Sequence, residues 1–277
     1  MKNILSQLPD GLAKKINLDN INLDNINEIT LRAGKNVIVK ADNIYYKIDY
    51  VINASEVSEC FKRFCDFSVY AYLDEIKNGF VTVEGGHRIG ICGTAVMDSD
   101  NVFNIKDISS VNIRIAKEVK GCSDKLKFDV KNLLVISPPC CGKTTVIRDL
   151  CRKIGNKRKV SVVDERGEIA GMSNGISCFD IGVMTDVLSL MPKEKGVEYM
   201  LRSMSPEYIV TDEIADSDCE TLKKAVTSGV HIIATAHGNK VNQTLDRLGV
   251  DKTMFDNIVL LSNKNGIATI EEVLSND

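Results

Sequence analysis

The nine residues from Ser137 to Thr145, Ser-Pro-Pro-Cys-Cys-Gly-Lys-Thr-Thr, carry the densest chemistry in this chain. They follow the apolar run Leu133-Leu134-Val135-Ile136 and lead into Val146-Ile147-Arg148-Asp149-Leu150. Strand, tight loop and helix, with Gly-Lys-Thr at the turn, is the pattern of a phosphate-binding loop. Backbone N–H groups in such a loop and at the helix N-terminus suit an anion. Gly142 would let the backbone come close, Lys143 would reach the outer phosphates and the Thr144 hydroxyl would hold magnesium. Pro138, Pro139, Cys140, Cys141 and Thr145 complete the cradle. Ser137 stands where the motif asks for glycine, so a cost in backbone conformation is expected there.

A second acid-bearing strand lies downstream. Tyr208-Ile209-Val210-Thr211-Asp212-Glu213 is an apolar run ending in two carboxylates. Asp212 is placed to hold magnesium through water, and Glu213 to polarise an attacking water as general base. Alone, each motif could be an ordinary turn; together they point to nucleoside triphosphate chemistry. Val162 to Ile169 is again a strand running into acids, and Glu165 or Glu168 could orient water or a magnesium-bound water at the ligand crevice of an open α/β sheet. His237, in Ala234-Thr235-Ala236-His237-Gly238, ends a further strand and could sense the terminal phosphate. Arg88, Arg114 and Arg202 read either as surface arginines or as fingers reaching a nucleotide.

The elements that must position these groups fall into two halves. Ile4, Leu5, Leu8 and Leu12 have helical spacing, and the tandem 16–20 and 21–25 is local low complexity. Short antiparallel strands are expected from Glu28 to Ile48, a helix capped by Ser55, another over 69–76, a hairpin over 80–92, and strands at 102–105 and 111–115. This half is α+β. A polar stretch follows, and beyond it strands at 133–136, 160–164, 208–212, 231–236 and 257–261 alternate with helices, which implies a parallel sheet covered on both faces. The boundaries are set at 1–118 for the N-terminal α+β domain, 119–131 for a linker and 132–277 for the α/β core.

The 277 residues bound the chain to one large or two ordinary domains, and 44% hydrophobic with 26% charged residues is the balance of a globular protein. No apolar run is long enough to cross a bilayer, and the N-terminus lacks a secretory core. Nine cysteines without a Cys-x-x-Cys give neither a disulfide framework nor zinc spacing. With two of them inside the phosphate loop, reduced thiols and a cytoplasmic location are expected. A net charge of −3 and a pI near 5.8 argue against a nucleic-acid partner.

The set of motifs resembles the stage III sporulation AA family, within the secretion ATPase group that includes type II and type IV secretion and pilus-retraction motors. The resemblance rests on Glu28 to Lys35, Gly79 to Gly93, Asn112 to Ala116, the Pro-Pro-x-x-Gly-Lys-Thr-Thr loop, Asp164 to Gly171, Arg202 to Pro206, Asp212-Glu213-Ile214 and Thr235 to Gly238. It implies an α/β fold with a RecA-like P-loop ATPase core and a smaller N-terminal α+β domain. It further implies ATP and magnesium as ligands, a homo-hexameric ring, and hydrolysis that drives a channel between mother cell and forespore. The protein would lie in the mother-cell cytoplasm, peripheral to the membrane and docked on membrane proteins of that channel. The resemblance assigns Asp164 to Glu168 as an acidic box, Thr235 to His237 as a histidine box, and Arg88 and Arg114 as phosphate contacts from the N-terminal side. Two other readings compete: a nucleic-acid-acting RecA-like ATPase, and a nucleotide-gated scaffold with weak hydrolysis, which Ser137 alone favours.

Overall fold

The computed structural model describes every residue except Met1, Asp19, Asn20, Asn43, Ser99, Asp100, Asn174 and Asp277, and it divides the chain into two compact units, 1–117 and 118–277.

In the first unit, α1 (Lys2–Ser6) and α2 (Asp10–Leu18) are separated by Pro9, and together they bury Ile4, Leu5, Leu8 and Leu12. The tandem stretch expected as low complexity falls partly on Asp19 and Asn20, outside the described residues. Strands β1 (Ile26–Arg32), β2 (Lys35–Ala41) and β3 (Ile44–Ile52) precede α3 (Ala54–Phe64) and α4 (Leu73–Lys77). Then come β4 (Phe80–Val83), β5 (His87–Asp98) and β6 (Asn101–Arg114), giving an antiparallel sheet in the order β3-β2-β1-β6-β5-β4. Alternating burial, as in β2, packs one face against the helices.

Two local expectations change. The cap of α3 is Asn53, not Ser55: the Asn53 side chain accepts the Glu56 N–H while Glu56 accepts the Asn53 N–H. An amide oxygen outside the helix reaches that N–H, whereas Ser55 already lies inside the first turn. The strands expected at 102–105 and 111–115 are one long strand, bent at Asp107 (φ 49°), where its register against β5 shifts near Gly93. A bulge bends a ladder without ending it.

The second unit is built on β7 (Leu133–Ser137), α5 (Lys143–Gly155), β8 (Val160–Asp164), the short β9 (Met172–Ser173) and β10 (Ile176–Ser177), β11 (Thr185–Ser189) and α6 (Lys193–Ser203). It continues with β12 (Tyr208–Glu213), α7 (Cys219–Thr227), β13 (His231–His237), α8 (Val241–Leu248), β14 (Asn257–Ser262) and β15 (Thr269–Ser275). The main sheet runs β11-β8-β12-β13-β7-β14-β15, all parallel except the β14–β15 hairpin. Every residue of β7 and β8 is buried, as parallel strands covered on both faces require. The stretch 119–131, expected as a linker, belongs to this unit: Asp149 of α5 accepts the N–H groups of Gly121 and Ser123 at 3.0 and 2.9 Å. Among the described residues, no helix is long and apolar enough to cross a membrane.

Candidate active site

Four neighbouring parallel strands, β8, β12, β13 and β7, end on one edge of the sheet, so their C-terminal residues converge. The phosphate loop follows β7, the acidic loop follows β8, Asp212 and Glu213 close β12, and His237 closes β13. They surround a cavity of about 370 Å³ lined by 139–145, Arg166, Glu168, Asp212, Glu213, Thr235, His237 and Ile267.

The loop is shaped by positive φ at Cys140 (61°) and Gly142 (92°), the latter capping α5. Ser137 is not strained. It is a fully buried strand residue paired with His237, and its hydroxyl donates to the Pro138 carbonyl at 2.6 Å. The cost expected at Ser137 is therefore absent, because the left-handed turn falls three and five residues later. Gly142 cannot carry a side chain cheaply, since a Cβ there would lie 2.6 Å from Cγ2 of Ile267 and 3.2 Å from the Ala268 nitrogen. The turn joining β14 to β15 thus backs the loop, and the Ala268 N–H donates to the Cys141 carbonyl.

Lys143 points back into this cradle. Its Nζ donates to the Ser137 carbonyl at 3.1 Å and contacts Nδ1 of His237 at 2.9 Å. Burial lowers its pKa, with Glu213 the main opposing charge. Because an ammonium only donates, Nδ1 of His237 accepts and the ring proton resides on Nε2. That nitrogen lies 3.2 Å from Oε2 of Glu213, which also takes Nη1 of Arg166 at 2.9 Å. Lys143, His237, Glu213 and Arg166 form one continuous polar chain across the cavity.

Consecutive strand residues normally face opposite ways. Asp212 and Glu213 nonetheless both line the cavity, because the β12–β13 register slips between Val210 and Glu213. Thr211 is absorbed in the sheet, its hydroxyl donating to the Val163 carbonyl at 3.1 Å. Asp212 is 5% exposed, and burial raises its pKa to about 6 against the opposing pull of Lys193. Its Oδ2 accepts the Arg166 N–H at 3.0 Å. Its Oδ1 is buried, 3.1 Å from the Lys193 ammonium but without the alignment of a hydrogen bond. Asp212 and Thr144 both line the cavity, and a carboxylate there with acceptor capacity to spare fits magnesium bound through water.

The acidic loop is held by two anchors. Asp164, fully buried, accepts the N–H groups of Glu168, Ile169 and Ala170 at 2.8, 3.0 and 2.9 Å. Arg148 of α5 donates to the carbonyls of Ile169 and Glu168 at 2.8 and 2.6 Å and stacks 3.7 Å from the Phe179 ring. Asp164 is thus structural, and its loop presents Arg166 and Glu168 to the cavity.

Not every candidate converges. Glu165 turns away from the cavity to Lys193. Arg202 lies on α6, 82% exposed and 3.8 Å from Glu198, and does not line the cavity. Arg88 and Arg114 belong to the first unit, where β5 and β6 set them side by side and Arg88 packs 3.5 Å from the Phe80 ring. Two contributors escape a sequence reading, Arg148 and Lys193, whereas Arg166 lies in the acid-rich stretch that the sequence already places near the crevice. The only local signal for Lys193 is its type, a lysine at a helix N-terminus, where the dipole disfavours it.

The sequence model of the family described as sporulation stage III, protein AA, matches residues 1–276. The stage III sporulation protein AA of Bacillus subtilis (strain 168) is 34% identical over 295 residues, covering all of this chain and 92% of that protein. Among solved structures, the Yersinia pseudotuberculosis ATPase DotB aligns with a TM-score of 0.65 at 12% identity, over 97% of this chain and 80% of that one. The pilus retraction motor PilT, solved with bound ADP, aligns with a TM-score of 0.63 at 16% identity, over 95% and 81%. At such identities the likeness is one of fold, the RecA-like P-loop ATPase fold.

Proposed function

Since the chain belongs to the stage III sporulation protein AA family, we propose that it is a magnesium-dependent ATPase that works as a motor on a membrane assembly during sporulation. The observation that carries this reading is the continuous chain Lys143–His237–Glu213 across a cavity walled by the phosphate loop.

The residues divide the work by position. Backbone N–H groups of 140–144 and the N-terminus of α5 take the phosphates of ATP, with Lys143 on the outer ones. Thr144 and Asp212 would hold magnesium, which when bound offsets the charge developing on the phosphates. Glu213 accepts the proton of the attacking water. Its carboxylate is held by Arg166 and by Nε2 of His237. Lys143 is shared between His237 and the loop carbonyls, so a phosphate that draws Lys143 away also frees His237 to report that phosphate to Glu213. Glu168, also in the cavity lining and 3.8 Å from Nε of Arg166, is a second water-orienting carboxylate.

Arg202 does not line the cavity and Arg88 and Arg114 belong to the first unit, and all three suit completion of the site within a homo-hexameric ring. On this reading its partners are membrane proteins of a channel between mother cell and forespore, with the chain peripheral on the mother-cell side. The acidic pI gives no support to a nucleic-acid partner. The gated-scaffold reading loses its one argument, because Ser137 sits unstrained in β7.

The test is steady-state ATP hydrolysis by the full chain, with and without magnesium, beside Glu213→Gln. A magnesium-dependent rate that falls at least about 100-fold in the variant, with nucleotide still bound, is expected. Equal rates in the two proteins would sink the assignment of Glu213.

A further inference from the structure

Lys193 opens α6, and its side chain is only 6% exposed. The place is unfavourable twice over: an ammonium there faces the positive end of the helix dipole, and burial strips away its water. Two carboxylates from different elements compensate. Nζ donates to Oε2 of Glu165, in the loop after β8, and lies 3.1 Å from Oδ1 of Asp212, at the end of β12. Its contact with Asp212 leaves Oδ1 without a hydrogen-bond partner, while Oδ2 is taken by the Arg166 N–H. Lys193 thus holds, from outside the cavity, a carboxylate that lines it. Lys193 does not line the cavity, so any effect on nucleotide must pass through Asp212 or the acidic loop.

We infer that Lys193 is a positioning residue of the site: it clamps Asp212 and Glu165 into one unit and fixes the Asp212 carboxylate at the cavity wall, where magnesium would bind. The inference rests on the ATPase reading above. It requires that Lys193 act on the magnesium-dependent part of nucleotide binding and leave the part made by the phosphate loop.

The test is equilibrium binding of a fluorescent ADP analogue to the full chain, in magnesium and in EDTA. For Lys193→Met, which keeps the length of the stem and removes the charge, the EDTA affinity should stay within about twofold of wild type. The enhancement by magnesium should fall by about 10-fold or more, the usual loss when a residue behind a metal ligand is removed. Glu165→Gln removes the other partner and should lose part of that enhancement. Adding it to Lys193→Met should cost nothing more, since the two act as one unit.

A Lys193→Met protein with wild-type enhancement and only a lower melting temperature would overturn the inference and leave Lys193 structural. Should Lys193→Met not fold, Glu165→Gln decides, and unchanged enhancement in that variant overturns it equally. Wild-type protein whose nucleotide affinity ignores magnesium would defeat the ATPase reading itself, and the inference with it.

Discussion

Removing Asp164 should show how much of the site is held together by one buried carboxylate. Its oxygens accept three backbone N–H groups: Oδ1 from Glu168 and Oδ2 from Ile169 and Ala170. In Asp164→Ala all three donors lose their partner. A buried unsatisfied donor costs about 1–3 kcal/mol, which sums to about 3–9 kcal/mol. Two effects pull the figure down. Water can enter the vacated space, and the carboxylate's own burial penalty, which raises its pKa, is relieved. A loss of about 3–5 kcal/mol is therefore expected. Asp164→Asn can keep its oxygen on Ile169 and Ala170 but turns an amide N–H₂ toward the Glu168 N–H, so it should lose about 1–3 kcal/mol. The chain has no tryptophan, so urea unfolding is best followed by circular dichroism. The transition of the second unit is the one that magnesium nucleotide shifts to higher urea. Both variants should also bind nucleotide more weakly than their folded fraction explains, because Arg166 and Glu168 ride on the released loop. If both variants unfold within about 1 kcal/mol of wild type, or if Asn costs more than Ala, the carboxylate is not the anchor described.

Two further outcomes follow from the geometry. Gly142→Ala forces a side chain into the left-handed region, a strain of about 1–2 kcal/mol, and sets its Cβ against Ile267 and the Ala268 nitrogen. Nucleotide affinity by fluorescence titration should fall more than about 10-fold, and Ile267→Ala should restore little of it, since the strain and the backbone nitrogen remain. His87 is buried, its Nδ1 accepting the Ala116 N–H at 3.1 Å, and burial lowers its pKa to about 4. The unfolded chain then binds the extra proton first, so stability falls as pH drops from about 6.5 toward about 4, by at most about 3 kcal/mol. Melting curves of the first unit across that window should lose this slope in His87→Gln; an unchanged slope would exclude His87 as its source.

The alternation of apolar strands with helices in the second half was legible because parallel strands buried on both faces read as near-continuous apolar runs, as Leu133–Ile136 does throughout and Val160–Val163 does but for the buried Ser161. The phosphate loop was legible because its geometry depends on neighbours in the chain. The caps were less so: Ser55 and Asn53 are equally good on type, and only the reach of the side chain to the Glu56 N–H separates them. Ser137 misled because the motif records a glycine without recording where the left-handed turn falls.

The sequence by itself determined the strand ends, since apolar runs stop where Ser137, Asp164, Asp212 and His237 begin. A parallel sheet then delivers those ends to one edge whatever the intervening lengths. Only the tertiary structure decided which of the delivered groups meet. That Lys143 reaches His237, that Asp164 folds its own loop while Glu165 turns to Lys193, and that Arg148 grips the acidic loop from α5 depend on contacts between segments far apart in the chain. Such contacts are set by register and burial in the finished core, and no local pattern of residue types records them.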